Sequence, residues 1–419
     1  MSLHVLFVTL MAAMSVHLNH FSTMADAAEP APEAYSLDQI LVLAMERNPT
    51  LASAEGLVRQ HLGQQIAATA YPNPSVSISA GRGSIRDPST GVAVTERTFT
   101  VEQPLEWVGK RQARQEAAQA GVAGASAALD EARLSLAADV KVAFYQVLYA
   151  QRDADLAAQN VTTVEEVLRT VKARVAAGEA TSFDTMKADV EVQKAQKEVA
   201  RARNTLIVAK ARLNTLTSGA LGTQFSLRGE FRSVTQNIDP ARLASQALEE
   251  HPTMRRLSKL IEQADHSVRY ERASRVPTVS IQGSYHREAG DESLTAGLSV
   301  PLPLWYRRQG EIESALGAQY RAEAERRRTH NDLAQAITQH AQEVRTAQDQ
   351  LQVFETGLLK QAERTLAVAR TSFRQGAASL LEVLDAQRVY RQTLLEYAQV
   401  RADLSIALVR LERAVGAPP

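Results

Sequence analysis

The chain contains no cysteine, few aromatic residues and no excess of either charge. Without cysteine it cannot form a disulfide framework or a thiolate metal site, and it has no catalytic thiol. Its formal net charge of +0 gives no electrostatic reason to expect a nucleic-acid partner. Aromatic residues make up 5% of the 419 positions. That composition suits extended helices packed through small side chains better than a bulky globular core.

Long apolar runs and enzyme motifs are also missing. Beyond the N-terminal region no segment reaches about 18 apolar residues in a row, so the sequence predicts no membrane-spanning helix. There is no glycine-rich phosphate loop, no nucleophile elbow and no His-Glu-x-x-His motif. We therefore expect neither an enzyme nor a cofactor. After residue 28 no His-x-x-x-His pair occurs either, and we expect no metal site, because isolated histidines are usually surface or packing residues.

Residues 1–28 are typical of a secretory signal peptide. An apolar run from Val5 to Val16 precedes Ala25-Asp26-Ala27, a small-x-small cleavage pattern. The run is not preceded by Lys or Arg, which most leaders carry. We expect the chain to be exported.

The remainder of the chain consists of two similar halves. Landmarks recur about 200 residues apart: Asn48-Pro49-Thr50 matches His251-Pro252-Thr253, and Gln103-Pro104-Leu105 matches Val300-Pro301-Leu302. We therefore predict a first structural repeat over 36–220 and a second over 239–416, each a helix–hairpin–helix unit.

Each repeat contains one very long helix, predicted at about 109–177 and about 305–375. Apolar residues step alternately by four and three, which is the 3.5-residue period of a coiled coil. A helix of some 65 residues is roughly 100 Å long. In the first repeat the periodic residues are Leu136, Val140, Ala143, Val147, Ala150, Ala154, Ala157, Val161, Val164, Leu168, Val171 and Val175. In the second they are Leu333, Ile337, His340, Val344, Ala347, Leu351, Phe354 and Leu358.

A glycine follows each long helix. Gly178 and Gly376 stand where a helix C-terminus favours the left-handed conformation. Thr181 and Ser379 follow them as N-cap residues for a returning helix. The chain order therefore predicts that the glycine turns and the strand hairpins lie at opposite ends of the rods.

Four segments alternate between apolar and polar residues, at about 74–82, 94–103, 277–287 and 293–302. Such strands fit a soluble antiparallel sheet with one solvated face, and they are also long enough to cross a bilayer obliquely. The soluble alternative leaves two hairpins at the ends of long rods with nothing to pack on, which favours the membrane. Four strands cannot close a pore, whereas three chains would supply about twelve. The expected fold is mainly α, with long coiled-coil rods joined to a 12-stranded β-barrel that three chains form together.

The residues around the second turn resemble the TolC-type outer-membrane efflux channels. Arg374 to Gln387 (RQGAASLLEVLDAQ) is similar to that family's turn segment at the periplasmic entrance, and Gly178 to Ala188 matches more loosely. Within the family, Val300 to Gly310 (VPLPLWYRRQG) and Gln103 to Arg111 (QPLEWVGKR) resemble the CzcC-like heavy-metal branch.

That resemblance implies an outer-membrane location with the helical tunnel in the periplasm, a homotrimer, and contact with outer-membrane lipid. It further implies a passive exit duct for divalent Co, Zn, Cd, Ni or Cu, working with a periplasmic adaptor and an inner-membrane resistance-nodulation-division (RND) pump. The adaptor would contact the turn tips at Gly178, Thr181, Gly376 and Ser379. Drug export or type I protein export is the alternative substrate class. A periplasmic adaptor or a structural coiled coil is the alternative of another kind.

The resemblance also places acidic residues around the closed periplasmic entrance. These are Glu382 and Asp385, with Asp184 as the counterpart in the first repeat. Three-fold symmetry would bring the copies close together, attract cations and raise the pKa of the carboxyl groups. Glu382 has a simpler interpretation too, as a negative charge that complements a helix N-terminus.

Overall fold

The computed structural model describes residues 34–233 and 238–416. The expected signal peptide, 1–28, lies outside this range. The first repeat contains β1 (Ala34–Tyr35), α1 (Leu37–Arg47), α2 (Pro49–Thr69), β2 (Ser75–Arg86), β3 (Ala93–Leu105), α3 (Val108–Ala176) and α4 (Ser182–Leu216). After β4 (Ser226–Leu227), the second repeat contains α5 (Pro240–Glu250), α6 (Pro252–Ala273), β5 (Val279–Glu288), β6 (Asp291–Ser299), α7 (Gln309–Val353), α8 (Leu359–Arg374) and α9 (Leu380–Val415).

The repeated x-Pro-Thr landmarks are helix starts. Asn48 accepts a hydrogen bond from the Thr50 amide and caps α2, whose first residue is a proline. His251 accepts from the Thr253 amide and caps α6 in the same way. Proline is tolerated at the first helical position because its missing N–H has no intrahelical partner there. The duplicated motif therefore ends α1 and starts α2 in the first repeat, and it ends α5 and starts α6 at the matching position of the second.

Helix α3 is the central rod of the molecule. Its 69 residues span roughly 100 Å. Its first half packs against α2 and α6, where Arg256 of α6 pairs with Glu131 at 2.6 Å. Its second half packs against α4 and α9, where Arg201 of α4 pairs with the buried Asp153 at 3.0 Å. Most periodic residues predicted for this helix are buried and the rest are half-buried, so the predicted coiled-coil period is confirmed.

The strands form one antiparallel sheet of order β2-β3-β5-β6. Strands β3 and β5 join the two repeats, and the register places residues of like character in rows across all four strands. One row on the apolar face is Ile78, Phe99, Tyr285 and Leu294. The adjacent row on the polar face is Ser77, Thr100, Ser284 and Thr295. Within 34–233 and 238–416, β2 and β6 each have a strand partner on one side only.

The long helix of the second repeat is interrupted, unlike α3. It begins at Gln309 because Arg308 before it has φ of +59°, outside the helical range. A single π-helical turn, Phe354–Leu358, then separates α7 from α8. The wider turn breaks the 3.5-residue period, so Leu358, which the pattern assigns to the buried face, is 42% exposed.

An apolar core lies where α1, α3, α4 and α9 meet. The two-residue strands β1 and β4 pair in parallel beside it. Its largest fully buried side chains are Phe144, Phe225, Ile40 and Leu213. This core fixes the segments that lead into and out of the first repeat against α3 and α9.

Over the ranges that the structure describes, no helix combines the length and the apolar character needed to cross a membrane.

Candidate functional site

The two glycine turns have the same geometry. In the first, the Gly178 amide donates to the Val175 carbonyl and the Glu179 amide to the Arg174 carbonyl. The same pair of hydrogen bonds closes the second turn around Gly376. Both glycines are left-handed, with φ of +79° and +77°. This Schellman arrangement ends each helix sharply and reverses the chain at one end of the molecule.

Both returning helices begin with a capping box. The Thr181 hydroxyl accepts from the Asp184 amide, while the Asp184 carboxylate accepts from the Thr181 amide at 3.1 Å. Ser379 and Glu382 form the same pair of bonds, the amide-to-carboxylate distance being 2.6 Å. The Thr181 hydroxyl also donates to the Asp184 carboxylate at 2.8 Å, and this bond together with that of the Thr181 amide lowers the pKa of Asp184. The amide and the hydroxyl of Ser379 lower the pKa of Glu382 in the same way.

The direction of these pKa shifts differs from the rise expected for carboxylates crowded in a trimer. Within one chain the cause is local, since each carboxylate is hydrogen-bonded to its own cap. Asp184 and Glu382 thus place negative charge at the helix N-termini, which agrees with the simpler interpretation of Glu382, and the pKa rise in a trimer stays a prediction.

Asp385 is different from the two capping residues. It lies one turn further along α9, its side chain is 54% exposed, and it pairs with Arg388. Such an exposed i,i+3 pair contributes little to stability. Asp385 is thus the candidate carboxylate that is free of a capping role.

The two turns pack against each other across the repeats. The Arg174 guanidinium donates to the Phe373 carbonyl at 3.2 Å and lies over the Phe373 ring, 5.0 Å from its centre. The same guanidinium lies 3.7 Å from the Glu179 carboxylate. The apolar residues beneath this contact include Val167, Val171, Ala188, Leu380 and Val383. The structure therefore brings together both predicted tips in one packed end of the molecule.

Sequence reasoning missed a polar contact behind the turns. Gln387 is buried on α9, where it donates to Asn160 of α3 at 3.3 Å and accepts from Arg370 of α8 at 2.8 Å. The sequence does contain one indication of this contact, since Gln387 occupies a position of α9 where the helical period expects an apolar residue. Because a buried amide needs such partners, Gln387 fixes the relative register of three helices.

The histidines are dispersed. His266 faces Glu116 at 2.9 Å, and His340, on the periodic face of α7, faces Glu343 at 2.9 Å. In the part of the chain that the structure describes, no group of three or more His, Asp or Glu side chains is arranged to hold a metal ion.

Comparison with known proteins agrees with this architecture. Residues 40–219 and 243–417 match the family described as "Outer membrane efflux protein". The cobalt-zinc-cadmium resistance protein CzcC of Cupriavidus metallidurans is 27% identical over 383 residues, which span 91% of this chain and 90% of the relative. The nickel and cobalt resistance protein CnrC of the same organism is 28% identical over 325 residues, or 76% of this chain and 75% of the relative.

Solved structures share the fold. A membrane protein from Pseudomonas aeruginosa superposes with a TM-score of 0.78 at 21% identity, over 92% of this chain and 91% of that one. The duplicated architecture expected from the sequence is thereby confirmed. Other solved structures that share the fold are described as outer-membrane channels. The chain belongs to the outer membrane efflux protein family.

Proposed function

We propose that the protein is the outer-membrane exit duct of a tripartite efflux system and works as a homotrimer. The observation that carries the proposal is the sheet. It has one polar and one apolar face, and two open edges, β2 and β6, at the end of rods roughly 100 Å long. An open edge within a bilayer would leave backbone groups unpaired. Pairing β6 of one copy with β2 of the next removes every edge when the ring closes.

The helices support the same assembly. On one margin of the chain, α2 and α4 pack against α3 and leave Ile66, Ile207 and Val208 exposed. On the opposite margin, α7 and α8 expose Tyr320 and Val368. Exposed apolar side chains on two opposite margins fit a head-to-tail ring, since each margin then covers the other. Three copies supply twelve strands, more than the roughly eight at which side chains fill the interior of a barrel.

We further propose that Asp385 and Glu382, with Asp184, form the cation-attracting periplasmic entrance. In a threefold ring each carboxylate would face its own copies, and a negative constriction concentrates cations. Asp385 is the strongest candidate because its carboxylate does not cap a helix. Its exposure at the packed turns is the supporting observation.

Bilayer conductance tests the entrance. Asp385→Asn with Glu382→Gln keeps the shape of both side chains, and we expect reduced preference for cations over anions. Glu249→Gln with Glu250→Gln, exposed on α5 far from the turns, is the matched control and should conduct as the native channel. Unchanged ion selectivity in the first variant would show that the entrance assignment is wrong.

The proposed cargo is a divalent heavy-metal cation such as Co, Zn, Cd, Ni or Cu. The metal-resistance proteins CzcC and CnrC support it by their similarity to this chain. A passive duct needs no tight metal site, because tight binding would slow release. A deletion strain should become sensitive to these cations and keep its tolerance of antibiotics. The reverse pattern would favour the drug-export alternative.

The proposed partners are a periplasmic adaptor and an inner-membrane RND pump. The turn tips at Gly178, Thr181, Gly376 and Ser379 are the expected adaptor contact, since they form the end of the molecule opposite the sheet. Cysteines introduced at Thr181 and Ser379 should crosslink to an adaptor in intact cells, whereas a cysteine at Glu249 should not. An adaptor itself would have one helical hairpin and compact β-domains, so the two hairpins argue against that class.

A further inference from the structure

The apolar face of the sheet changes character at the end nearest the hairpin loops. The outermost apolar row contains Phe99 and Tyr285, directly opposite each other. The next row towards the loops is Ala80, Arg97, Arg287 and Glu292. The alternation of strand side chains places this charged row on the same face as the apolar row. A band of arginine thus borders the surface that would face lipid.

Only one of the two arginines of this row has a partner of opposite charge. Arg97 and Arg287 are directly paired across β3 and β5, and like charges in that position destabilise a sheet. Arg287 lies 3.5 Å from Glu292. Among the residues whose side chains the structure describes, Arg97 has neither an ion pair nor a side-chain hydrogen bond. The arrangement therefore leaves positive charge for an external anion.

A cavity lies beside the arginine pair. It has a volume of about 500 Å³ and is lined by Arg86, Arg97 and Arg287, together with loop residues that include Asp87. The Asp87 carboxylate is held in its own turn, where it accepts from the Ser89 amide at 2.7 Å. The cavity therefore presents three guanidinium groups, while its Asp87 carboxylate is already hydrogen-bonded within the loop. This arrangement favours an anion with several oxygens, because the planar guanidinium group matches the geometry of phosphate.

The depth of the arginines matches a lipid headgroup. The chain has two tryptophans, Trp107 and Trp305. Each follows the last strand of its repeat, and they are 59% and 91% exposed. Exposed tryptophans at strand ends are typical of a membrane–water interface. Strand β3 runs roughly 27 Å from Arg97 to its last residue, Leu105, and Trp107 lies two residues beyond. At a tilt of about 40° the strand covers roughly 21 Å of an apolar band about 25 Å thick, so the arginines lie near the opposite interface.

We propose that Arg97 and Arg287, with Arg86 at the cavity, bind the phosphate groups of lipid headgroups in the outer leaflet. The site rests on the proposed insertion of the sheet into the outer membrane. The guanidinium groups contact phosphate oxygens, while Phe99 and Tyr285 pack against the adjoining acyl chains. The ligand relieves the repulsion between the paired arginines and anchors the loop end of each hairpin.

Lipid binding to the purified full-length protein tests this site. Native mass spectrometry in detergent compares diphosphorylated lipid A with the same lipid after its phosphates are removed. Arg97→Gln with Arg287→Gln should weaken binding of the phosphorylated lipid by roughly tenfold, the value expected for lost charge-assisted contacts. The dephosphorylated lipid should bind equally weakly to native protein and variant. Arg326→Gln with Arg364→Gln, exposed on α7 and α8, removes equal charge elsewhere and should bind as the native protein does.

Three results would overturn the site. Native affinity in the Arg97/Arg287 variant would exclude these residues, and equal binding of the dephosphorylated lipid would exclude phosphate recognition. Displacement of the lipid by millimolar inorganic phosphate would identify a general anion site instead. Membrane fractionation and conductance separate the two proposals. A native protein that resides in the outer membrane and conducts, yet fails the lipid test, leaves the exit-duct function standing.

Discussion

Acidification should loosen the start of α6, because that helix end depends on a neutral histidine. His251 is 5% exposed. Its Nδ1 accepts from the Thr253 amide at 3.1 Å, and its Nε2 lies 3.1 Å from the Arg413 carbonyl of α9. A backbone N–H can only donate a hydrogen bond, so the Nδ1 that accepts it carries no proton. The proton of the neutral ring is therefore on Nε2, which donates it to the Arg413 carbonyl. A second proton would occupy Nδ1 and remove the cap.

The pH dependence follows from the direction of the pKa shift. Burial lowers the pKa of His251 below its ordinary 6.5, assisted by the charges of Arg255 and Arg413 and opposed by Glu131 and the hydrogen bond to the Arg413 carbonyl. Below pH 6.5 His251 becomes protonated when the start of α6 is locally unfolded, whereas it stays neutral in the folded helix because its pKa there is lower. The free energy of local opening therefore falls by up to about 1.4 kcal/mol per pH unit until the lowered pKa is reached.

The first repeat contains an internal control. Asn48 performs both roles without a titratable group, accepting from the Thr50 amide at 2.9 Å and donating to the Leu216 carbonyl at 2.8 Å. Hydrogen–deuterium exchange of the two helix starts can be compared in one sample. Between pH 6.5 and 5.5 protection at Thr253 should drop by up to about fivefold relative to Thr50, after correction for intrinsic rates.

Two substitutions sharpen the test. His251→Asn copies the first repeat and should abolish the pH-dependent difference. His251→Ala loses a cap worth about 1 kcal/mol and a second hydrogen bond of similar size, so its opening free energy at pH 7.5 should fall by about 2 kcal/mol. A constant protection ratio in the native protein from pH 7.5 to 5.0 would refute the neutral-histidine argument.

Two further predictions concern glycine and tryptophan. Gly416→Ala should lower thermal stability more than Gly178→Ala. Both glycines have positive φ, but a Cβ at Gly416 would lie 2.9 Å from His251, whereas nothing lies within 4 Å at Gly178. Equal melting shifts would contradict the packing argument. In liposomes, the single-tryptophan variants W107F and W305F should be quenched by lipids brominated near the headgroup more than by lipids brominated at the chain end. Preferential quenching at the bilayer centre would contradict the assigned depth.

Local patterns predicted much of the fold. The four-and-three spacing from Leu136 to Val171 identified the buried face of α3, because a coiled-coil period depends only on neighbouring turns. Gly178 and Gly376 identified the reversals for the same local reason. Pairing of β3 with β5 joins segments more than 170 residues apart, and no local signal specifies that register.

Other features depended on contacts between distant segments. The π-helical turn at Phe354–Leu358 breaks a heptad pattern that continues in the sequence. The role of Gln387 could not be predicted because it depends on hydrogen bonds with Asn160 and Arg370, which lie on other helices. The spacing of Thr181 from Asp184 and of Ser379 from Glu382 did predict the caps at the starts of α4 and α9, because a capping box is a local pattern.

The junction of β3 and β5 has a consequence for the symmetry of the proposed ring. Three chains would arrange six hairpins, and the junction inside a chain would alternate with the junction between chains. The wall would then be nearly sixfold, with asparagine at three helix starts and histidine at the other three, since Asn48 and His251 occupy matching positions. Acid would weaken every second position only. Protonation would thus turn a nearly sixfold wall into a threefold one.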